Sequence, residues 1–100
     1  MKIIRSTHFS RWLKKLDNGL AKARILRRLE RINETGDLGD WHSLGDGVFE
    51  LRFFFGPGYR VYFTKRGESV IILLAGGDKG TQERDIEKAR QIAKEYENED

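Results

Sequence analysis

The apolar segment 69–75, with the sequence SVIILLA, limits the possible folds of this chain more than any other segment. Successive side chains of a β-strand point to opposite faces, so a strand made of consecutive apolar residues is apolar on both faces. Such a strand is stable when both of its faces are covered. The sequence therefore predicts a central, covered strand here, which Gly76 and Gly77 are expected to end.

Turn sequences and alternating residues predict further strands around this one. The predicted elements are strands at 48–55 and 59–64, turns at 56–58 (GPG) and 65–68 (KRGE), and an edge strand at 2–6. Strands 48–55, 59–64 and 69–75 then form an antiparallel meander. Residues 37–47 are rich in glycine and aspartate and predict a loop, which Trp41 and Leu44 pin to the core.

Apolar side chains at spacings of three and four predict three helices. The first is 8–16 after the N-cap Thr7, the second is 20–34 between the Asp17-Asn18-Gly19 break and Gly36, and the third follows the N-cap Thr81. The acidic end at 95–100 is expected to fray. This order predicts an α+β fold with an N-terminal strand, a helical hairpin, a three-stranded antiparallel meander and a C-terminal helix. We expect the helices on one face of the sheet.

Composition bounds the class of protein. The 100 residues suit a single domain, 1–100, and 38% hydrophobic with 35% charged residues predict a small core under a densely charged surface. The absence of cysteine excludes disulfides, thiolate catalysis and cysteine-bound zinc. The carboxylates lack the spacing of a metal site, so we expect no metal and no cofactor. No apolar run reaches the roughly 20 residues of a membrane span, and no signal peptide is recognisable, so we expect a cytoplasmic protein.

Positive charge is concentrated in the first part of the chain. Residues 1–35 carry ten lysines and arginines against three acidic residues, a net charge of +7, whereas the whole chain carries +3. The second helix places four arginines opposite its apolar residues: Arg24, Arg27, Arg28 and Arg31. This pattern has two interpretations, a surface that binds an anionic partner, most commonly nucleic acid, or a solvated helix face.

The strand period also predicts a polar face on the sheet. The first turn pairs Phe54 with Arg60, which puts the apolar side chains of both strands on the opposite face. One interpretation of the polar face is a salt bridge of Glu50 with Arg52 or Arg60. The other is an anion site, in which the two arginines bind phosphate while Tyr62 and Phe54 stack on a base.

Two further candidates lie in the connecting segments. The run GGDKGTQ at 76–82 lacks the spacing of a phosphate-binding P-loop and predicts a tight strand-to-helix connection, which still leaves a role open for Lys79. His42 follows Trp41 in the predicted loop. It is a candidate general acid or base, although a lone loop histidine is usually neither.

The series ELR, GPGYRVYF and GGDKGTQ, in this order, resembles the toxins of type II toxin–antitoxin modules. The opening fits as well, with F-x-x-W-L in the first helix and A-K-A-R-I-x-x-R-L in the second. The chain resembles the HigB-like, phage-derived Gp49-like branch of the RelE/ParE superfamily, whose members are often labelled addiction module killer proteins. The resemblance extends from Lys2 to about Ala93.

This resemblance implies a toxin that arrests growth until a cognate antitoxin, expected to be a helix-turn-helix protein, neutralises it. DNA is then contacted only through the antitoxin complex. For the HigB-like branch it implies an endoribonuclease that cleaves mRNA on the ribosome without a metal. Arg52 and Arg60 match the basic sheet positions of the family, and Lys79 is a third. The chain lacks the His and Asp that some HigB proteins have near their C-terminal end, so Tyr62, Lys79 and His42 are the candidate general acids and bases.

Two other functions stay open at this point. ParE-like members of the superfamily inhibit DNA gyrase without catalysis, and a shared fold does not separate them from the RNA-cleaving members. In that case the helical hairpin would contact the target and the sheet arginines would matter for folding alone. The remaining possibility is an RNA-binding or structural module without toxicity.

Overall fold

A computed structural model describes residues 1–97 of the chain. The elements are β1 (Lys2–Arg5), α1 (Thr7–Lys15), α2 (Gly19–Thr35), β2 (Trp41–Gly45), β3 (Val48–Arg52), β4 (Tyr59–Arg66), β5 (Val70–Asp78), a 3-10 turn (Lys79–Thr81) and α3 (Gln82–Glu97). Within these residues the strands form a five-stranded sheet in the order β1-β5-β4-β3-β2. β1 runs parallel to β5, and the other neighbours are antiparallel. The end of the predicted frayed segment, 98–100, lies outside the described residues.

The α+β class and the covered strand are confirmed, but the helices lie on both faces of the sheet. Ile71 and Leu73 of β5 pack in the apolar core beneath α1 and α2. Ile72 and Leu74 pack on the opposite side, against Ala89 and other apolar residues of α3. The prediction of helices on one face was therefore wrong, and the reason is in β5 itself, because a strand that is apolar on both faces needs a layer on each side.

The predicted loop 37–47 contains a strand. β2 pairs with β3 from Trp41 opposite Leu51 to Gly45 opposite Val48. The connection is a two-residue turn in which Asp46 and Gly47 both have positive φ, 54° and 77°. That geometry is typical of tight hairpin turns, and Asp-Gly is one of their strongest sequence signals. The three-stranded meander is thus extended by an edge strand.

The ends of the helices agree with the sequence except at two caps. Asn18 caps α2 by accepting from the Ala21 amide, and Gly36 ends α2 in the left-handed conformation, as predicted. α1 is capped by Ser6 instead of Thr7, and its hydroxyl accepts from the Phe9 amide at 3.0 Å. The turn before α3 is capped by Asp78, and Thr81 completes that cap as its partner. In both corrections the capping side chain precedes the predicted residue, so each helix or turn begins slightly earlier.

The β3–β4 hairpin keeps the predicted faces with a shifted register. Arg52 lies opposite Arg60, whereas the sequence paired Phe54 with Arg60. The shift is two residues, so every side chain stays on its predicted face. β3 ends at Arg52, and the connection is a loop at 53–58 that bonds through the Phe53 amide to the Tyr59 carbonyl.

Candidate functional site

Three antiparallel strands bring the polar candidates to one face of the sheet, the face covered by α3. Arg52 and Arg60 are directly opposite each other on β3 and β4. Glu50 lies opposite both Tyr62 on β4 and His42 on β2. Directly opposite residues of an antiparallel pair project to the same face. The predicted grouping of these side chains is therefore present, but α3 lies over part of it.

Glu50 anchors α3 to this face. Its carboxylate is fully buried and accepts two hydrogen bonds, from Arg52 Nε at 2.8 Å and from Gln82 Nε2 at 3.0 Å. A buried carboxylate needs such partners because burial without them is strongly unfavourable. The salt-bridge interpretation thus holds for the Glu50–Arg52 pair. It does not extend to Arg60, which is not paired with Glu50.

Arg60 is a buried guanidinium without an acidic partner. The residue is 7% exposed, and its Nη1 donates to the carbonyls of Gly58 and Tyr59, both at 3.1 Å. Among residues 1–97 no carboxylate forms an ion pair with it, and its Nε has no hydrogen-bond partner. Its own strand and turn therefore hold a positive charge in place without neutralising it. Such an arrangement suits an anion.

The GPG turn and the GGDKG segment pack together beside Arg60. The Lys79 amide donates to the Pro57 carbonyl at 3.4 Å. Gly58 has φ +77°, and a Cβ at this position would lie 3.4 Å from Lys79 Cβ and 3.6 Å from Arg60 Nη1. Lys79 is exposed at this end of the sheet, and Phe54 in the 53–58 loop is 80% exposed. The structure thus brings Lys79 to Arg60, as the sequence suggested.

Tyr62 is removed from the surface. Its side chain is fully buried, and its hydroxyl has no hydrogen-bond partner among the described residues. Burial first, and then the nearby carboxylates of Glu50 and Asp85, raise the pKa of the Tyr62 phenol far above its usual value. The phenol is therefore neutral and inaccessible, which argues against its predicted roles as a general base and as a platform for stacking.

His42 lies on β2 and not in a loop. Its side chain is about half exposed, and Nε2 lies 3.3 Å from Asp40 Oδ1. The Asp40 carbonyl accepts from the Arg52 amide at 3.0 Å, which ties this pair to the end of β3. The structure therefore forms a histidine–carboxylate pair at the open edge of the sheet, on the same face as Glu50. Asp40 was not singled out from the sequence.

Of the four arginines on α2, one is half-buried and bonds to the neighbouring backbone, and three lie at the surface. Arg28 is half-buried and donates to the carbonyls of Leu38, Asp40 and Arg52. Its guanidinium carbon lies 4.6 Å from the centre of the Phe53 ring. Burial lowers the pKa of Arg28, and the carboxylate of Asp40 opposes this shift. Arg28 therefore fixes the backbone on which Arg52 and the His42–Asp40 pair sit.

Arg24, Arg27 and Arg31 remain at the surface. Together with Arg28 they line a groove of about 330 Å³ beside Leu38. Arg24 lies over the Phe55 ring at 4.9 Å, and Arg31 forms an exposed ion pair with Asp37 at 3.2 Å. The groove is separate from the Arg60 end of the sheet, so the predicted RNA-binding and catalytic residues form two surfaces.

The sequence did not single out two side chains that complete the α3 face. Gln82 bonds to Glu50, and Asp85 is buried and accepts from the Thr81 hydroxyl. An amide and a carboxylate in the first turn of a helix are ordinary capping residues, so they carry no distinguishing pattern. The prediction that Gly76 and Gly77 end the strand was wrong, because β5 runs through both to Asp78. Gly77 instead makes room for Asp85, since a Cβ there would lie 1.8 Å from Asp85 Oδ2.

Solved structures place this arrangement in a known fold. A chain in the crystal structure of the intact E. coli RelBE toxin–antitoxin complex matches with a TM-score of 0.61, covering 77% of this chain and 94% of that one at 11% identity. The structure of a mutant E. coli toxin RelE in the free state matches with a TM-score of 0.64, covering 87% and 95% at 12% identity. The protein has the RelE fold.

Sequence comparison gives the family. Residues 11–97 match the family described as phage derived protein Gp49-like. An uncharacterized protein of Haemophilus influenzae is 48% identical over 87 residues, which cover 87% of each chain. The chain belongs to the phage-derived Gp49-like family, and the resemblance in its ELR, GPGYRVYF and GGDKGTQ segments is confirmed. No helix within residues 1–97 combines the length and the hydropathy that a membrane crossing requires.

Proposed function

We propose that this protein is the toxin of a toxin–antitoxin pair and that it cleaves mRNA on the ribosome in the bacterial cytoplasm. The observation that carries the proposal is Arg60, a buried cation fixed by its own backbone, without an acidic partner and next to the exposed Lys79. The RelE fold and the Gp49-like family support it. A fixed cation of this kind matches the negative charge that gathers on a phosphate during cleavage.

The reaction uses the RNA itself as the nucleophile. The 2′-oxygen attacks the adjacent phosphorus, the bond from phosphorus to the 5′-oxygen breaks, and the products are a 2′,3′-cyclic phosphate and a free 5′-hydroxyl. Arg60, with Arg52 beside it, stabilises the charge on the non-bridging oxygens. The base must take the 2′-hydroxyl proton, and the acid must give one to the 5′-oxygen.

The accessible groups for these proton transfers are His42 and Lys79. His42 is oriented by Asp40, so its ring is held at the edge of the site and accepts the 2′-hydroxyl proton. The Lys79 ammonium, at the Arg60 end, donates to the leaving oxygen. Tyr62 has no part in these steps because its hydroxyl is buried.

The groove on α2 binds the RNA backbone or the ribosome through Arg24, Arg27 and Arg31, and Arg28 supports it from within. The neutralising partner is a cognate antitoxin that presents acidic side chains to one of the two basic surfaces. Opposite charges of this kind mainly speed association. One of the fold neighbours is itself a toxin–antitoxin complex, which supports a partner of this class.

Substitution of Arg60 tests the proposal. Arg60→Ala should reduce mRNA cleavage by about 100-fold or more, with melting temperature and antitoxin binding kept. Arg60→Lys should rescue poorly because lysine lacks the two-pronged guanidinium. Arg11→Ala, at an exposed position on α1, is the matched control and should stay toxic. The readout is the mapping of new mRNA 5′ ends after induction, with and without stalled translation.

Two outcomes would overturn the proposal. A folded Arg60→Ala protein that keeps full toxicity would show that the cation is structural. Growth arrest by the unaltered protein without new mRNA ends, but with inhibited supercoiling by purified gyrase, would assign the protein to the ParE-like class instead.

A further inference from the structure

A second concave surface lies along the edge of β5 that faces β1, where β5 continues beyond the end of β1. β1 ends opposite Leu73, so on that side β5 has no strand beside it from Leu74 to Asp78. α1 and α3 lie on the two sides of this free edge and enclose a cleft of about 400 Å³. This volume is within the usual range of small-molecule sites, about 300–1,000 Å³. None of the proposed catalytic residues lines the cleft.

Two glycines are required in the floor of the cleft because side chains from both helices lie directly against the strand there. A Cβ on Gly76 would lie 2.2 Å from the ring of Trp12, and one on Gly77 would lie 1.8 Å from Asp85 Oδ2. Neither glycine has the positive φ that would otherwise explain its presence. The two glycines therefore let Trp12 from α1 and Asp85 from α3 pack against opposite faces of the strand.

The two walls have different chemistry. His8 and Trp12 of α1 provide aromatic surface. Arg84 and Lys88 of α3 are exposed, lie one helical turn apart and line the opposite wall. Among residues 1–97 Lys88 has no ion pair or hydrogen bond, and Arg84 lies 4.0 Å from Asp85. Lys88 is thus a cation without a partner among these residues, Arg84 is paired with Asp85, and both face an aromatic wall.

Two carboxylates also line the cleft, and each accepts a hydrogen bond from a group in the turn before α3. Asp78 Oδ1 accepts from the Gly80 amide at 2.8 Å. Asp85 Oδ2 accepts from the Thr81 hydroxyl. Aromatic surface, two cations and a bare peptide edge together match a nucleotide, which has a planar base and an anionic phosphate. An acidic peptide would use the cations and leave the aromatic wall unexplained.

We propose that this cleft binds a nucleotide of the same RNA strand, adjacent to the phosphate that Arg60 and Lys79 hold. The inference rests on the proposed function. Gly77 lies opposite Arg60 on the neighbouring strand, and Asp78 precedes Lys79 in the chain. Both line the cleft, so an RNA strand held at Arg60 continues into it. The base lies on the side of Trp12, and the phosphate lies between Arg84 and Lys88.

Trp12 is a built-in reporter for this site. In a Trp41→Phe variant Trp12 is the remaining tryptophan, and Phe keeps an aromatic ring at position 41. The probe is a five-nucleotide 2′-O-methyl RNA, which lacks the attacking hydroxyl. It should quench Trp12 fluorescence saturably. Arg84→Gln with Lys88→Gln should raise its Kd by about tenfold, whereas the matched control, Lys14→Gln with Lys15→Gln on exposed α1 positions, should leave Kd nearly unchanged.

The outcomes separate this inference from the proposed function. Quenching that persists in Arg60→Ala while cleavage is lost supports both. Cleavage without quenching of Trp12, or an equal loss of affinity in the cleft and control variants, overturns the cleft and leaves the proposed function standing. Quenching without any cleavage keeps the nucleotide site and removes the nuclease. Quenching by the purified antitoxin but not by RNA assigns the cleft to a protein partner and overturns the inference.

Discussion

The two faces of the sheet bury different kinds of side chain. Beneath α1 and α2 the buried residues form an apolar core that includes Phe9, Leu51 and Phe63. Beneath α3 an apolar cluster around Ile92 shares the face with three buried charged residues: Glu50, Arg60 and Asp85. Buried charges contribute little net stability even when they are well paired. The comparison indicates that one face stabilises the fold while the other positions the charges of the candidate site.

The largest effect should follow from a cavity on the apolar face. Phe63 is fully buried and stacks on Phe49 with ring centroids 5.4 Å apart. Phe63→Ala should lower the free energy of unfolding by about 3–5 kcal/mol, through lost burial and a residual cavity. The exposed Phe54 is the matched control, and Phe54→Ala should change stability by less than about 0.5 kcal/mol. Urea denaturation measures both, and similar values for the two would contradict the division between the faces.

A smaller loss should follow on the α3 face. Glu50→Ala removes the acceptor for Arg52 and Gln82, and we expect a loss of about 2–3 kcal/mol. The loss is smaller than for a fully buried ion pair because Arg52 is partly exposed and can be rehydrated. Glu50→Gln should keep part of the contact and lose less. Glu68→Ala in the exposed β4–β5 turn is the control, and hydrogen exchange should show the loss concentrated in the first turns of α3.

The sequence predicted which side chains share a face of the sheet better than it predicted which helices cover each face. Arg52 and Arg60 were expected on one side because alternation fixes which side chains share a face, and a two-residue shift of register preserves that. Alternation does not say what covers a face, so the placement of α3 over Tyr62 and Arg60 could not be obtained from it. The Asp46-Gly47 turn, in contrast, was predictable from the sequence, since two adjacent residues are enough to indicate a tight hairpin turn.

The role of Arg28 shows a different limit. Its spacing with Arg24, Arg27 and Arg31 placed it on a basic helix face, and three of these four residues are indeed exposed. Arg28 differs because the segment 38–40 and the end of β3 fold over it and offer three backbone carbonyls. Those acceptors come from positions distant in sequence, and no local pattern reveals their approach.

A gain in stability should accompany the removal of one polar atom on the α3 face. The Tyr62 hydroxyl is buried without a partner, and an unsatisfied buried group costs about 1–3 kcal/mol. Tyr62→Phe should therefore stabilise the protein by about 1 kcal/mol and leave mRNA cleavage unchanged. Urea denaturation and the mapping of 5′ ends check the two halves. A stable Tyr62→Phe protein without cleavage would restore the phenol to the mechanism and would require α3 to move.

The smallest expected effect is a pH dependence of stability. It arises from Tyr62 on the α3 face alone and involves no loss of packing. Burial, followed by the carboxylates of Glu50 and Asp85, raises the pKa of Tyr62 above the ordinary tyrosine value, which is about 10. The folded protein therefore holds this proton where the unfolded chain releases it. Because release favours the unfolded state, the contribution is fully present below about pH 10 and is lost as pH rises further.

Comparison with Tyr62→Phe isolates this contribution, since both proteins share every other titrating group. The stability of the unaltered protein should fall relative to Tyr62→Phe as pH increases above about 10. At lower pH the difference in free energy of unfolding between the two proteins should not change with pH. Absorbance of phenolate near 295 nm gives a second reading. In the folded state just above pH 10 the two proteins should show equal phenolate, and after unfolding in urea the unaltered protein should gain more phenolate by roughly half an equivalent or more, because an unfolded tyrosine has a pKa of about 10. Equal gains would mean that Tyr62 already ionises in the folded protein, and its burial under α3 would then be incomplete.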